Sequence, residues 1–194
     1  MQNVGVDLSI QSVNIARDDF SWSTNFNFSH YQNEVLDIQN LPIFEGVQFG
    51  FFTVTNTTEG QPIGMFWGLD AIGIFDDEET LTSAPPQFGQ EVGPEAGQTW
   101  FGDIQYRDVN GDGVVNDDDA TFIGSPHPRF SFGLNNTFTY KTFDLSIFLM
   151  GMEGVEVMNF LRRNVAGLDG LFNNQLSEVR NYYSRDLGRT DTDI

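Results

Sequence analysis

No cysteine occurs anywhere in the 194 residues, which removes disulfide staples, thiolate zinc sites and thiol nucleophiles together. Positive charge is also scarce: 9 Lys and Arg stand against 28 Asp and Glu, a formal net charge of −19. Nucleic-acid affinity comes largely from basic side chains that neutralise phosphates, so nucleic-acid binding is excluded as the main role. Long apolar runs are missing as well. The longest, Ile147-Phe148-Leu149-Met150-Gly151-Met152, falls far short of the roughly 18–20 residues that a spanning helix needs. That test does not reach β-barrels, whose strands require only about 9–11 residues of alternating character. The opening Met1-Gln2-Asn3-Val4-Gly5 has neither a basic nor an apolar leader region. No secretory signal is therefore expected there, and the chain reads either as cytoplasmic or as an internal part of something longer.

Aromatic residues, by contrast, are plentiful: 19 Phe, 5 Tyr and 3 Trp, too many for a disordered acidic tail. Four stretches alternate with period two, the signature of half-apolar strands. In Gly5 to Ile15, Val6, Leu8 and Ile10 oppose Asp7, Ser9 and Gln11. From Phe20 to Tyr31, Phe20, Trp22, Phe26 and Phe28 oppose Ser21, Ser23, Asn25, Asn27 and Ser29. Phe130, Phe132, Leu134, Phe138 and Tyr140 form a third such face, with Asn136 its one polar intruder. Phe143, Leu145, Ile147 and Leu149 form the fourth. The short links Ala16-Arg17-Asp18-Asp19 and Lys141-Thr142 suit hairpin turns. Two solutions fit such faces. In a soluble sheet, the commoner case, aromatics pack on a core and Ser/Asn meet water; in an outer-membrane barrel, aromatics meet lipid and Ser/Asn line the lumen. Periodicity does not decide between them.

The segment from about Val35 to Pro128 differs in kind. Between Asp70 and Asp119 it carries 13 acidic residues against one basic, Arg107. A connection this long signals a functional loop with structure of its own. Its clusters Phe49-Gly50-Phe51-Phe52 and Met65-Phe66-Trp67-Gly68 predict short strands or packed turns. After Gly151 one helical stretch is expected around Val155 to Val165, followed by a polar tail ending at Asp191-Thr192-Asp193-Ile194 with no strand signal.

The strongest chemical motif is the dockerin-like DxNxDG run beginning at Asp108. Asp108, Asn110, Asp112, Asn116 and Asp119 place oxygens at positions 1, 3, 5, 9 and 12 of a twelve-residue loop. Gly113 stands where the chain must turn sharply, and Val114 would add its carbonyl. These six, Asp108, Asn110, Asp112, Val114, Asn116 and Asp119, are candidate ligands for a structural Ca²⁺, which takes 6–8 oxygens. Position 12 holds Asp where an EF-hand prefers Glu, and Gly124 and Pro126 stop any exiting helix, so a full EF-hand is not expected. The competing reading is an acidic turn stabilised by its own Asx and Gly residues. His30 and His127 lack ligand-spaced partners. Asp76-Asp77-Glu78-Glu79 has the look of a carboxylate pair for glycoside chemistry, but four adjacent acids more often form a solvated loop. The Asn-x-Ser/Thr triplets at Asn27, Asn56 and Asn135 are what Ser/Thr-rich strands produce by chance, and no nucleophile elbow, P-loop, zincin or dinucleotide motif occurs. No enzymatic activity is expected.

Taken in order, several short elements resemble the SusC/RagA family of TonB-dependent outer-membrane transporters. They are Gln2 to Leu8, Phe20-Ser21-Trp22, Asn25 to Ser29, Asn33-Glu34-Val35, Gly60 to Gly64, Phe66-Trp67-Gly68, Gly73-Ile74-Phe75 and Gly102-Asp103-Ile104. Asp108 to Asp112, Ile123 to Pro126, Phe132 to Asn136 and Phe143 to Ser146 continue the series. The resemblance covers about the first 160 residues and implies an all-β fold, an antiparallel up-and-down transmembrane β-barrel fragment of about four strands in two hairpins. It implies barrel hairpins at 1–34 and 129–152, a long acidic extracellular loop at 35–128, and a second extracellular loop with a truncated tail at 153–194. It further implies outer-membrane lipid around the aromatic faces, a SusD-like surface lipoprotein as lid, and TonB acting through a plug region without counterpart here. The cargo would be a large nutrient, a glycan or an oligopeptide. The alternative is a secreted β-rich Ca²⁺-binding adhesion or docking module with the aromatic faces as a soluble core.

Overall fold

The computed structural model describes residues 1–39, 42–46, 53–166 and 174–184. The Phe49 to Phe52 cluster and the end of the tail lie outside the described residues. Among the described residues ten strands are present: β1 Gln2–Ala16, β2 Phe20–Glu34, β3 Ile43–Gly46, β4 Thr53–Thr57, β5 Met65–Gly68, β6 Ala71–Ile74, β7 Ile104–Tyr106, β8 Thr121–Gly124, β9 Phe130–Tyr140 and β10 Phe143–Glu153. The described residues also include two short α-helices, α1 Glu78–Ser83 and α2 Phe160–Ala166. The chain divides into two compact units, Met1–Phe66 with Gly124–Val157, and Trp67–Ile123 with Met158–Ile194.

The first unit is built on an antiparallel sheet in the order β1-β2-β9-β10. The two expected hairpins form and stand side by side, because β2 pairs with β9 from Phe20↔Tyr140 to Ser29↔Ser131. The period-two faces dictate this register, since a slip of one residue would turn every aromatic to the Ser/Asn side. The turns support it. Arg17 N donates to Phe20 O (2.9 Å) and Phe20 N to Arg17 O, closing one hairpin, while Lys141 N donates to Asp19 O (3.0 Å) and binds one turn to the other. Lys141 sits in the left-handed region (φ 53°), as primed two-residue turns require at their first central position. Register shifts between Val13 and Ile15, leaving Asn14 as the extra residue of a bulge.

Where the long strands hand over to the loop, side chains become buried for the first time. Val35 is 3% exposed and Asn33 6%. The Asn33 amide donates to Asn3 Oδ1 (2.6 Å) and accepts from Ile63 N (2.8 Å), so its burial leaves no polar atom unpaired. Past β10, Gly154 (φ 75°) turns the chain. Glu156 is then held by Ser125 twice, through its N–H to Ser125 O (2.8 Å) and its carboxylate from Ser125 N (2.6 Å). Those bonds keep residues 155–159 out of the expected helix, which begins only at Phe160.

The short strands β3, β4, β5 and β8 form a second sheet in that order, and β6 pairs with β7. The apolar cluster at Met65 to Gly68 is β5, as its aromatics predict. The second unit has its own small core of Phe75, Leu81 and Val115. Asp77 caps α1 by accepting from Thr80 N (2.7 Å), with Glu78 and Glu79 in the first turn. The four adjacent acids thus mark a helix start, where negative charge is favourable.

Gly5 tests the sheet's close packing. A Cβ there would lie 2.5 Å from the backbone oxygen of His30, whereas one on Gly73 would meet nothing within 4 Å. Gly5→Ala is therefore expected to destabilise the β1–β2 pair by about 1–3 kcal/mol, and Gly73→Ala to leave it within about 0.5 kcal/mol. Urea unfolding of the two variants measures the difference.

Candidate functional site

Two arrangements carry chemistry, a two-faced wall and an acidic knot. On the wall's apolar side, partners across the strands match in kind: Leu8↔Phe28, Phe26↔Leu134, Phe28↔Phe132, Trp22↔Phe138 and Phe138↔Leu145. Trp22 stacks on Phe138 at 5.7 Å and Phe28 on Phe130 at 5.6 Å. None of Trp22, Phe26, Phe28, Phe132, Phe138, Leu145 and Ile147 is buried, and Leu145 is 56% exposed. They share an open surface, which a soluble core would not leave uncovered.

Asn136, the polar intruder on that surface, has a local explanation. Its Oδ1 accepts from Trp22 Nε1 (3.0 Å) and from Thr24 Oγ1 (2.7 Å), and Thr24 Oγ1 in turn accepts from Asn14 Nδ2 (2.7 Å). The bulge brings Asn14 into this chain, so an amide oxygen on an apolar face finds its donors within the sheet. The opposite side is a ladder of hydroxyls, amides and two carboxylates: Ser9 donates to Asn27, Ser29 to Asp7, Ser146 to Asn135 and Thr139 to Asp144. Phe148, Met150 and Met152 of β10 share that side and are exposed.

The six candidate ligands occupy one loop, but the side chains of the five Asp and Asn among them turn to its backbone. Asp108 accepts from Gly111 N (2.6 Å) and Gly113 N (2.8 Å); Asn110 accepts from Asp112 N (2.8 Å), Asp112 from Val114 N (2.9 Å), and Asn116 from Asp118 N (2.7 Å). Asp119 is the hub. Fully buried, it accepts from Val109 N (2.9 Å) and Asn110 N (3.2 Å) through one oxygen and from Asn116 N (2.9 Å) through the other. The Asn116 N–H, helped by those of Asn110 and Val109, holds the Asp119 carboxyl below its usual range against the opposing effect of burial. Among the described residues no three His, Cys, Asp or Glu side chains are grouped so that they could hold a metal ion. As arranged, the loop is a hydrogen-bonded turn.

The spacing of Asx and Gly residues marks the knot in the sequence. Its consequence next door is not so marked. Val115 is wholly buried, its N–H donates to Pro86 O (2.9 Å), and its carbonyl accepts from Phe88 N (2.8 Å). Nothing in the residues around Phe88 announces that contact.

No family model matches the sequence. The chain is 30% identical over 166 residues to TonB-dependent receptor P26 of Formosa agariphila, and 31% identical over 164 residues to TonB-dependent receptor P3 of the same organism. These matches cover 84% and 82% of this chain but 16% of each relative, so the chain spans about one sixth of the length of the curated relatives it matches. Its fold is similar to that in the structure of the RagAB peptide transporter, with a TM-score of 0.68 at 20% identity over 99% of this chain and 19% of that one. A second structure, of the RagAB peptide importer in the closed-closed state, gives a TM-score of 0.65 at 18% identity. The likeness establishes an open piece of barrel-type antiparallel sheet, not a closed barrel.

Because the knot's hub has a lowered carboxyl pKa, its contribution to loop stability is complete above the usual aspartate value of 3.8 and is lost as pH falls through the lowered value. Hydrogen exchange should show the amides of Val109, Asn110 and Asn116 protected at pH 6. Asp119→Ala should abolish that protection while leaving the amides of β2 and β9 unchanged.

Proposed function

The chain is homologous over most of its length to TonB-dependent receptors, its place is accordingly the outer membrane, and from that premise we propose that it forms part of the wall and one long outer loop of a nutrient importer. The single observation carrying this reading is the four-strand register that gathers aromatics on one face and Ser, Asn and Thr on the other. With lipid against the aromatic face and water in the lumen, each face meets the solvent it suits. The strand lengths of 15, 15, 11 and 11 residues are enough to cross the hydrocarbon layer. In this reading the two tight turns face the periplasm and the segment between β2 and β9 faces outward. A SusD-like lipoprotein covers the mouth, TonB drives opening through a plug, and the cargo is a large nutrient such as a glycan or an oligopeptide. The exposed apolar face speaks against the secreted module.

Ca²⁺ at Asp108, Asn110, Asp112, Val114, Asn116 and Asp119 is a separate proposal. It rests on the sequence spacing alone and gives the ion a structural role only. Calorimetry on the full-length polypeptide decides it: uptake abolished by Asp108→Ala supports a site, and equal uptake in both removes it.

Lipid contact predicts an asymmetry between faces. Leu134→Arg, in mid-strand on the aromatic face, should lower barrel stability by about 2–4 kcal/mol, whereas Asn27→Arg on the polar face should cost less than about 1 kcal/mol. Urea titration of the full-length polypeptide in bilayers, followed by heat-modifiable gel migration, reads both. For the activity itself, disruption of the gene should abolish uptake of one class of polymer. Normal uptake across glycan and peptide nutrients, or a polypeptide found outside the outer-membrane fraction, would overturn the reading.

A further inference from the structure

The second unit contains a recess of about 400 Å³ lined by Gln87, Phe88, Gln90, Gln98, Asp103 and Tyr106, with Gly97, Thr99 and Ile104 at its margins. Its size lies within the range of about 300–1,000 Å³ usual for small-molecule sites. Phe88 is held in the left-handed region (φ 52°), followed by Gly89 (φ 69°). A bulky side chain rarely adopts that conformation, and strain of this kind persists only where surrounding contacts enforce it. Here they do, through the bond from Phe88 N to Val115 O (2.8 Å). The result is a ring that remains 46% exposed and meets Tyr106 edge to face at 6.1 Å.

The polar lining is equally specific. Gln87 is buried with both ends of its amide engaged, donating to Ile104 O (2.9 Å) and accepting from Tyr106 N (2.7 Å), so it builds the wall. Gln90 accepts from Thr99 Oγ1 (3.2 Å) and Gln98 accepts from Glu95 N (3.1 Å). In each the amide oxygen is engaged and the NH₂ group remains a donor. Asp103 accepts from Trp100 N (2.7 Å) through Oδ2, which leaves Oδ1 as an acceptor. No Lys, Arg or His lines the recess, and the stretch from Asp70 to Asp119 has one basic residue among 13 acids. That field repels anions.

We propose that this recess is a binding subsite for an uncharged saccharide ring. Phe88 stacks on the ring's C–H face, while the amides of Gln90 and Gln98 and the free oxygen of Asp103 take its hydroxyls. A sugar ring pairs an apolar face with a rim of donors and acceptors, and the lining pairs one exposed aromatic with planar amides and one carboxylate. The inference rests on the importer reading and narrows its cargo. The test is calorimetry on the full-length polypeptide in detergent, with cellohexaose, laminarihexaose and mannohexaose as uncharged probes, oligogalacturonate as the anionic probe and a tryptic digest of casein as the peptide probe. At least one uncharged hexasaccharide should bind. Phe88→Gly, which removes the ring and relieves the backbone, should weaken it about tenfold or more, which corresponds to 1.4 kcal/mol; Phe88→Tyr, with unchanged circular dichroism, should retain binding. Binding of peptide or oligogalacturonate alone, binding of no probe, or affinity unchanged by Phe88→Gly would overturn the proposal. If uptake of some polymer persists in such a case, the importer reading stands and only the subsite fails; loss of outer-membrane location defeats both.

Discussion

Everything in the wall follows from the need to pair backbone N–H and C=O groups where no water can reach them. In hydrocarbon each unsatisfied group costs several kcal/mol, so only a continuous hydrogen-bonded sheet is tolerated. The run β1-β2-β9-β10 meets that condition along its three internal seams. Once the ladder fixes which residues oppose each other, the two-residue period delivers every even position of β2 to one side and every odd position to the other. The aromatic surface and the hydroxyl ladder are therefore a single consequence of register, and the hairpin turns bonded through Lys141 and Asp19 fix where that register begins.

Pairing of the same kind also explains the polar groups that seem misplaced. Asn136 on the aromatic face and Asp119 in the loop interior both sit where an isolated amide oxygen or carboxylate is costly. Each is surrounded by donors aimed at it: Trp22 and Thr24 for Asn136, and three backbone N–H groups for Asp119. The knot needs Gly111 and Gly113 because both adopt left-handed conformations (φ 74° and 87°), which turn their N–H groups toward Asp108.

The wall was legible in the sequence because its signal is strictly local. Alternation in 5–15, 20–31, 130–140 and 143–150 read out both hairpins, short only at the ends where β1 begins at Gln2, β2 runs to Glu34 and β10 to Glu153. Adjacency of β2 to β9, across almost a hundred residues, has no such signal in the alternation and depends on the match of whole faces. The helix expected around Val155 to Val165 starts late, at Phe160, for a related reason: two long-range bonds between Glu156 and Ser125 override local propensity. In the loop, the Asx/Gly spacing announced a tight turn but not whether its oxygens would face an ion or the backbone. The recess around Phe88 was invisible, since residues 87–90, 97–99 and 103–106 share no motif and meet only through the fold.

The acidity that dominates the composition thus has a structural use inside the loop. Asp108 and Asp119 hold the turn by accepting from its N–H groups, and the turn carries Val115. Val115 is clamped between Pro86 O and Phe88 N, so the geometry of the knot is passed directly to the residue whose ring stands open in the recess. A carboxylate engaged by backbone donors keeps its charge while giving up its freedom to move. The loop therefore gains a rigid frame and an anion-repelling surface from the same side chains, and the groups that line the recess are an aromatic ring, two amide NH₂ groups and, as the one charged group among them, a single carboxylate.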